Sequence, residues 1–343
     1  MAQETLSIIL KAVDSASPVL KNFSGTLNTV SSKLSNVRDE LKKFSNEIDS
    51  AMKYATKLTG ALIGVVSGST YFAANVEKAF QNARTMMEMT DSQAKQIQSS
   101  IQELSLASGK SLQELGDALY MLGSASVKAT DSIDVLKATT ISSIAGATDI
   151  STTFNSAISI INAYGMSMKD LSTVYAMQFE AVKKGLLNYE ELARDFGTLI
   201  PAARNLGVSL KEALAGYAAL TTAGFRSSEA ANAAEGAFRD IMQQADKFQE
   251  LGVKIYDSKG QFVGLTAVVE QLRKRLDGLT DDQKRIAVQQ LALSETGSRA
   301  LLTWVNSYDK YLDVLSGIRG DTEALNDVYK TQTQSISFLL DRL

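Results

Sequence analysis

The sequence predicts an all-α protein: a long amphipathic, coiled-coil-type helix at the N-terminus, then a multi-helix bundle with one small β-hairpin. Three observations predict it. Only Pro18 and Pro201 interrupt 343 residues, and proline is the strongest helix breaker. An unbroken heptad runs from Leu20 to Ala51. Beyond it, Ser, Thr or Asn recurs three residues ahead of an acid or amide, a spacing that lets two side chains cap a helix start reciprocally.

The first apolar run, Leu6 to Val13, is short and partly β-branched and suits a strand in preference to an interfacial segment. Ser17 and Pro18 then read as N-cap and first position of the heptad helix. Its seam places Leu20, Leu27, Leu34, Leu41 and Ile48 at one position, and Phe23, Val30, Val37, Phe44 and Ala51 three residues on. Spacing of 3,4,3,4 keeps such a stripe facing a partner helix, so these residues are the candidate self-association surface. Leu at the first position with Val or Phe at the second disfavours a parallel dimer, and a trimer is expected ahead of a hexamer.

An uncharged run follows over residues 58–76, holding the ladder Gly60, Gly64 and Gly68. Glycines four apart let helices approach closely, and 19 residues of helix span about 28 Å, near the thickness of a bilayer core. Thr59, Ser67, Ser69, Thr70 and Asn75 make helix packing the favoured reading over membrane insertion. The expected organisation is therefore residues 1–57 as N-terminal segment and heptad helix, 58–76 as glycine-ladder helix, 73–302 as helical core, and 303–343 as C-terminal helices that read as continuing or truncated.

Within the core, the capping spacing occurs at Thr90–Gln93, Ser111–Glu114, Ser167–Asp170, Asn188–Glu191, Ser209–Glu212 and Thr280–Gln283. Gly109, Gly165 and Gly207 each stand two residues before such a Ser, as left-handed caps ending the preceding helix. These signals predict roughly eight short helices between Ala73 and Leu251. Val253 to Asp257 alternates, Ser258 to Gly260 turns, and Gln261 to Leu265 returns, which predicts a hairpin over about 253–265. Helices are expected again from Ala267 to Leu276, Asp281 to Leu293, Thr296 to Leu315, and Thr322 onward.

Several chemistries find no residues to work with. The chain has no Cys and no His, which removes disulfides, thiolate nucleophiles, imidazole bases and His-ligated zinc. Gly109-Lys110-Ser111 resembles the end of a phosphate loop, but the position six before Lys110 is Leu104 instead of Gly. Glu190-Glu191 and Asp281-Asp282 fall in first turns, where acids complement the helix dipole. The Asp257 to Gly260 turn is too poor in oxygen ligands for calcium. A net charge of −3 gives no basis for specific nucleic-acid binding. No catalytic residue, cofactor site or metal site is expected, and the chain reads as a structural protein instead of an enzyme.

The block Pro201 to Gly260 resembles the core of phage tail tape measure proteins. The likeness is carried by Pro201 to Thr221, Ala223-Gly224-Phe225, Ser228-Glu229-Ala230, and Leu251-Gly252-Val253 through Asp257 to Gly260. It gives Gly207, Ser209, Glu212, Gly224, Glu229, Gly252, Asp257 and Gly260 as family-motif structural positions. The resemblance covers roughly Phe72 to Leu302. It implies a homo-oligomeric virion protein, assembled in the host cytoplasm, that lines the tail-tube lumen, sets tail length and is released on infection. It further implies tail-tube proteins, tail-tip proteins and assembly chaperones as partners. The alternative function is a membrane-active helical protein that inserts through residues 58–76 into the host inner membrane to form a channel.

Overall fold

A computed structural model describes residues 70–291 and 293–333. The heptad positions Leu20 to Ile48 and the ladder Gly60, Gly64 and Gly68 lie outside the described residues. Among the described residues there are sixteen α-helices, two short 3-10 turns and no strand.

The first helices are α1 (Thr70–Met86), α2 (Asp91–Ser108), α3 (Leu112–Ser124), α4 (Ala129–Ala145) and α5 (Ile150–Tyr164). After them come α6 (Leu171–Lys184), α7 (Tyr189–Asp195), α8 (Ile200–Leu206), α9 (Leu210–Thr222), α10 (Ser227–Gln243) and α11 (Ala245–Glu250). The last are α12 (Leu265–Leu276), α13 (Asp281–Gln290), α14 (Glu295–Asn306), α15 (Tyr308–Gly317) and α16 (Thr322–Thr333).

Helix starts divide into two kinds. Thr90, Asn188 and Thr280 close reciprocal capping boxes with Gln93, Glu191 and Gln283. Ser167 donates from its N–H and hydroxyl to Asp170, opening a 3-10 turn ahead of α6. Ser111 and Ser209 accept from the N–H of Glu114 and Glu212. Each of these two acids then serves a second partner: Glu114 binds Lys110 Nζ at 2.9 Å, and Glu212 binds a distant helix. The other kind has no capping side chain; α4 begins at Lys128 and α10 at Arg226. That difference corrects the expected helix count. Between Ala73 and Leu251 there are eleven α-helices, not eight, because a reading built on capping spacing misses starts that packing alone supports. The expected Thr296 to Leu315 helix is likewise two, broken at Ser307 with φ −113° and ψ 34°.

The expected hairpin over 253–265 is also corrected. Tyr256 and Phe262 form one isolated antiparallel bridge, flanked by Asp257 N–H to Gln261 O and Val263 N–H to Ile255 O. The arms stop there for physical reasons. Val253 is already committed to α11, donating to Phe248 O, and it is buried with Ile255. On the other side, Gly264 at φ 99° turns the chain into α12. Two residues per arm make a clamped loop, not a ladder.

At the centre lies α9, which is buried on nearly every face: Leu210 and residues 213–221 are all buried. A helix apolar all round must be enclosed, and α9 packs against α6, α10, α14 and α15. The alanine-rich face of α10 (Ala230, Ala231, Ala233, Ala234, Ala237) lies among α7, α8, α9 and α14. Large side chains fill what the alanines leave, including Tyr175, Tyr217, Phe238, Trp304 and Tyr311. The same core continues into the last helices, since α16 packs on α4 and α6 and buries Leu325 and Tyr329.

At the other end, α1 and α3 form the most intimate helix pair. A Cβ on Gly116 would meet that of Ala79 at 2.7 Å, and one on Gly123 would meet that of Met86 at 2.9 Å. Glu77 and Lys78 directly follow the expected uncharged run, and Ala79, Phe80 and Ala83 are buried. Among the described residues, no helix is long and apolar enough to cross a membrane.

Candidate functional site

Three carboxylates from the middle of the chain reach over to fasten the backbone of later helices. Glu212, the third residue of α9, accepts from Ser209 Oγ on one oxygen. With the other it accepts from Thr266 N–H at 3.0 Å and Thr266 Oγ1 at 2.9 Å, at the start of α12. Tyr311 OH on α15 then bonds Thr266 Oγ1 at 3.0 Å. Asp240 on α10 accepts from the N–H and hydroxyl of Ser294, the N-cap of α14, at 2.8 and 2.6 Å. Glu180 on α6 accepts from the N–H groups of Arg319 and Gly320, both at 2.7 Å, just ahead of α16. Charge-assisted bonds of this kind are stronger than neutral ones, and they satisfy N–H groups that a helix start leaves free.

Around Asp240 the helices touch backbone to backbone. A Cβ on Gly297 would lie 2.1 Å from Asp240 Oδ2 and 3.0 Å from the Gly236 carbonyl; one on Gly236 would lie 3.1 Å from Gly297 N. Nearby, Trp304 stacks on Phe238 at 5.8 Å and donates from Nε1 to Gly216 O at 2.9 Å. Glu229 accepts from Arg299 Nη2 at 2.6 Å, and that guanidinium lies 4.9 Å over Phe225. The hydrogen bond from Arg299 holds the Glu229 carboxyl below its ordinary range.

A fourth carboxylate, Asp195, ties α7 to the start of α10. Arg194 grips it with two bonds of 2.9 Å, and Ser227 Oγ donates to it. Arg194 is the main cause of its lowered pKa. Tyr217 OH meets Ser227 Oγ at 2.6 Å, and burial pushes its pKa up to about 12. A neutral relay lies deeper: Tyr189 OH donates to Gln178 Oε1 at 2.8 Å, and Gln178 Nε2 donates to Ser156 Oγ at 2.6 Å.

The motif positions fall as follows. Gly207 ends α8 at φ 95°, where a Cβ would press on Phe262 at 3.2 Å. Ser209 caps α9, and Gly224 follows α9 at φ 97°. In the loop after α11, Gly252 at φ 81° lies under the Arg275 guanidinium. Asp257 accepts from Lys259 and Gln261 N–H, both at 2.8 Å, and Gly260 closes that turn at φ 74°. The structure thus brings Gly207, Ser209 and Glu212 together with the 262–266 segment. Glu229 belongs to the separate α10–α14 contact, and Gly252, Asp257 and Gly260 shape the loop itself.

Sequence reasoning missed Glu180, Asp240, Gly236, Gly297 and Trp304. Two signals were present. Glu180 and Asp240 stand near the C-terminal ends of their helices, where the dipole disfavours an acid unless something offsets it. Gly236 lies inside a helical pattern, which usually has a packing reason.

Every one of these polar groups is engaged within the chain, and no three ligating side chains converge among the described residues. The cavity lined by Phe80, Gln98, Ile101, Gln102, Leu112 and Gly116 has a volume of about 10 Å³, space for one water. The arrangement fastens helices to one another.

The family described as "Phage-related minor tail protein" matches residues 98–292, from within α2 to just beyond α13. The chain belongs to this family. A protein of Pneumococcus phage Dp-1 named "Tape measure protein" is 22% identical over 274 residues, covering 77% of this chain and 24% of that protein. One of Clostridium phage phiCD119 named "Probable tape measure protein" is 24% identical over 216 residues, covering 60% of this chain and 23% of the relative. The resemblance to tape measure proteins is thereby shown. This minor tail protein sequence spans about a quarter of the length of the relatives it matches. No solved structure matches it.

Proposed function

We propose that this chain is a tape measure protein segment: a structural component of a phage tail that lines the tube lumen, sets tail length during assembly and leaves on infection. The observation that carries the proposal is the family match over residues 98–292, together with two relatives named as tape measure proteins. The geometry supports a structural role and not catalysis, because the charged groups at the latches are all consumed in holding helices. In this reading the described helices are a folded anchor. The heptad over Leu20 to Ala51 is the self-associating part, trimeric or hexameric, and the partners are tail-tube proteins, tail-tip proteins and assembly chaperones.

Length-setting is tested by inserting four extra heptads, 28 residues in register, within the heptad of the intact phage gene. Tails measured by electron microscopy should lengthen by roughly 40 Å, from 1.5 Å of rise per residue. Normal-length tails on particles that contain the longer protein would remove the length-setting part of the proposal.

A further inference from the structure

The corner between α15 and α16 lies along a single stripe of α6. Thr173, Met177, Glu180 and Lys184 follow one another at spacings of four, three and four, and so share one helix face. A Cβ on Gly320 would lie 2.8 Å from Thr173 Cγ2 and 3.3 Å from Met177 Cε, and one on Gly317 would lie 2.5 Å from Lys184 Cε. Lys184 Nζ meets Asp313 at 3.1 Å. Between these contacts, Gly320 at φ 72° aims successive N–H groups at one point, and Glu180 occupies it. Successive N–H groups arranged this way form a small anion-binding concavity. Here the anion is the chain's own side chain, and Glu180 is only 8% exposed.

We propose that α16 and the 317–321 corner form a releasable strap, with Glu180 as its latch, that peels from α4 and α6 while the central core stays folded. Two observations carry this. The strap buries three side chains, Ile318, Leu325 and Tyr329, whereas α9 and α10 bury ten residues each. The Glu212 and Asp240 latches are backed by buried Trp304 and Tyr311, while the Glu180 latch holds a turn whose glycines make the close approach. Segments that open ahead of global unfolding are those with few buried apolar contacts. The strap is independent of the tail reading.

The test is hydrogen–deuterium exchange on the full 343-residue chain. Amides of 317–333 should exchange at least tenfold faster than those of 213–221. Glu180→Met, which keeps the side-chain bulk but removes the acceptor, should speed 317–333 by roughly a further tenfold and leave 213–221 unchanged, as expected when buried N–H groups lose their partner. Gly320→Ala, which forces a Cβ onto Thr173, should give the same selective change if Glu180→Met does not fold. Equal exchange of the two segments in the parent chain overturns the proposal, as does a variant that speeds both segments alike or neither.

Discussion

Replacing Gly297 by alanine tests the α10–α14 crossing most directly, because two physical effects oppose each other there. Alanine is the better helix former by about 1 kcal/mol, so intrinsic propensity alone favours the variant. Against that, the new Cβ would stand 2.1 Å from Asp240 Oδ2 and 3.0 Å from the Gly236 backbone. The carboxylate cannot swing away freely, since it is held by the N–H and hydroxyl of Ser294. Nor can the Gly236 backbone retreat without moving the stack of Phe238 on Trp304. Overpacking of this kind costs about 1–3 kcal/mol. If Asp240 is expelled, the Ser294 N–H loses its partner at about another 1–3 kcal/mol. With both costs in play, the balance is a net loss of roughly 1–5 kcal/mol once propensity is subtracted. At about 2–4 °C per kcal/mol for a domain near this size, the melting temperature should fall by several degrees. Circular dichroism melts of the parent and variant measure this, with Gly197→Ala as control. Gly197 has nothing within 4 Å of its would-be Cβ and no positive φ, so that variant should melt within a degree or two of the parent, or slightly above it. A Gly297→Ala protein that melts at or above the parent would refute the close crossing.

Three further outcomes are expected. Gln178→Leu strands both Tyr189 OH and Ser156 Oγ and should cost about 2–4 kcal/mol, whereas adding Tyr189→Phe and Ser156→Ala should recover part of the loss, read from urea midpoints in a mutant cycle. Removing the α7 box with Asn188→Ala should cost about 1 kcal/mol, and a change below a few tenths would mean that packing alone sets that helix start. At Asp149, burial pushes the carboxyl up, but the Ser151 and Thr152 hydroxyls and the Thr152 N–H outweigh it and hold the pKa at about 2. A folded pKa below the unfolded value of about 3.9 gives stability that is complete above pH ~4 and lost as pH falls toward 2. Asp149→Asn should therefore flatten the decline in denaturant midpoint between pH 4 and pH 2, and an unchanged slope would show that the cap contributes nothing there.

The residues that announced themselves in the sequence are those whose reason is local. Thr90, Ser111, Asn188, Ser209 and Thr280 start helices because a side-chain oxygen and an N–H three residues away are neighbours in any helix, whatever surrounds them. For the same reason Gly109, Gly165 and Gly207 could be read as left-handed ends, and the scarcity of proline as an all-helical chain. The family likeness was legible because it consists of such caps and turns in a fixed order.

What the tertiary structure alone decided involves residues far apart in the chain. The hairpin expected at 253–265 shrank to one bridge because Val253 N–H is taken by Phe248 O and Gly264 turns the chain into α12, neither of which the alternating pattern reveals. Helices α4 and α10 begin without caps because packing, not an N-cap side chain, fixes where they start. Glu212 read as half of a capping box, and its second oxygen found Thr266, 54 residues away. Glu180 and Asp240 looked like acids at the wrong end of a helix until the fold delivered backbone N–H groups to them. Local hydrogen-bond geometry is written in the spacing of residues; a contact across 54 or 140 positions exists only once burial has brought its two sides together.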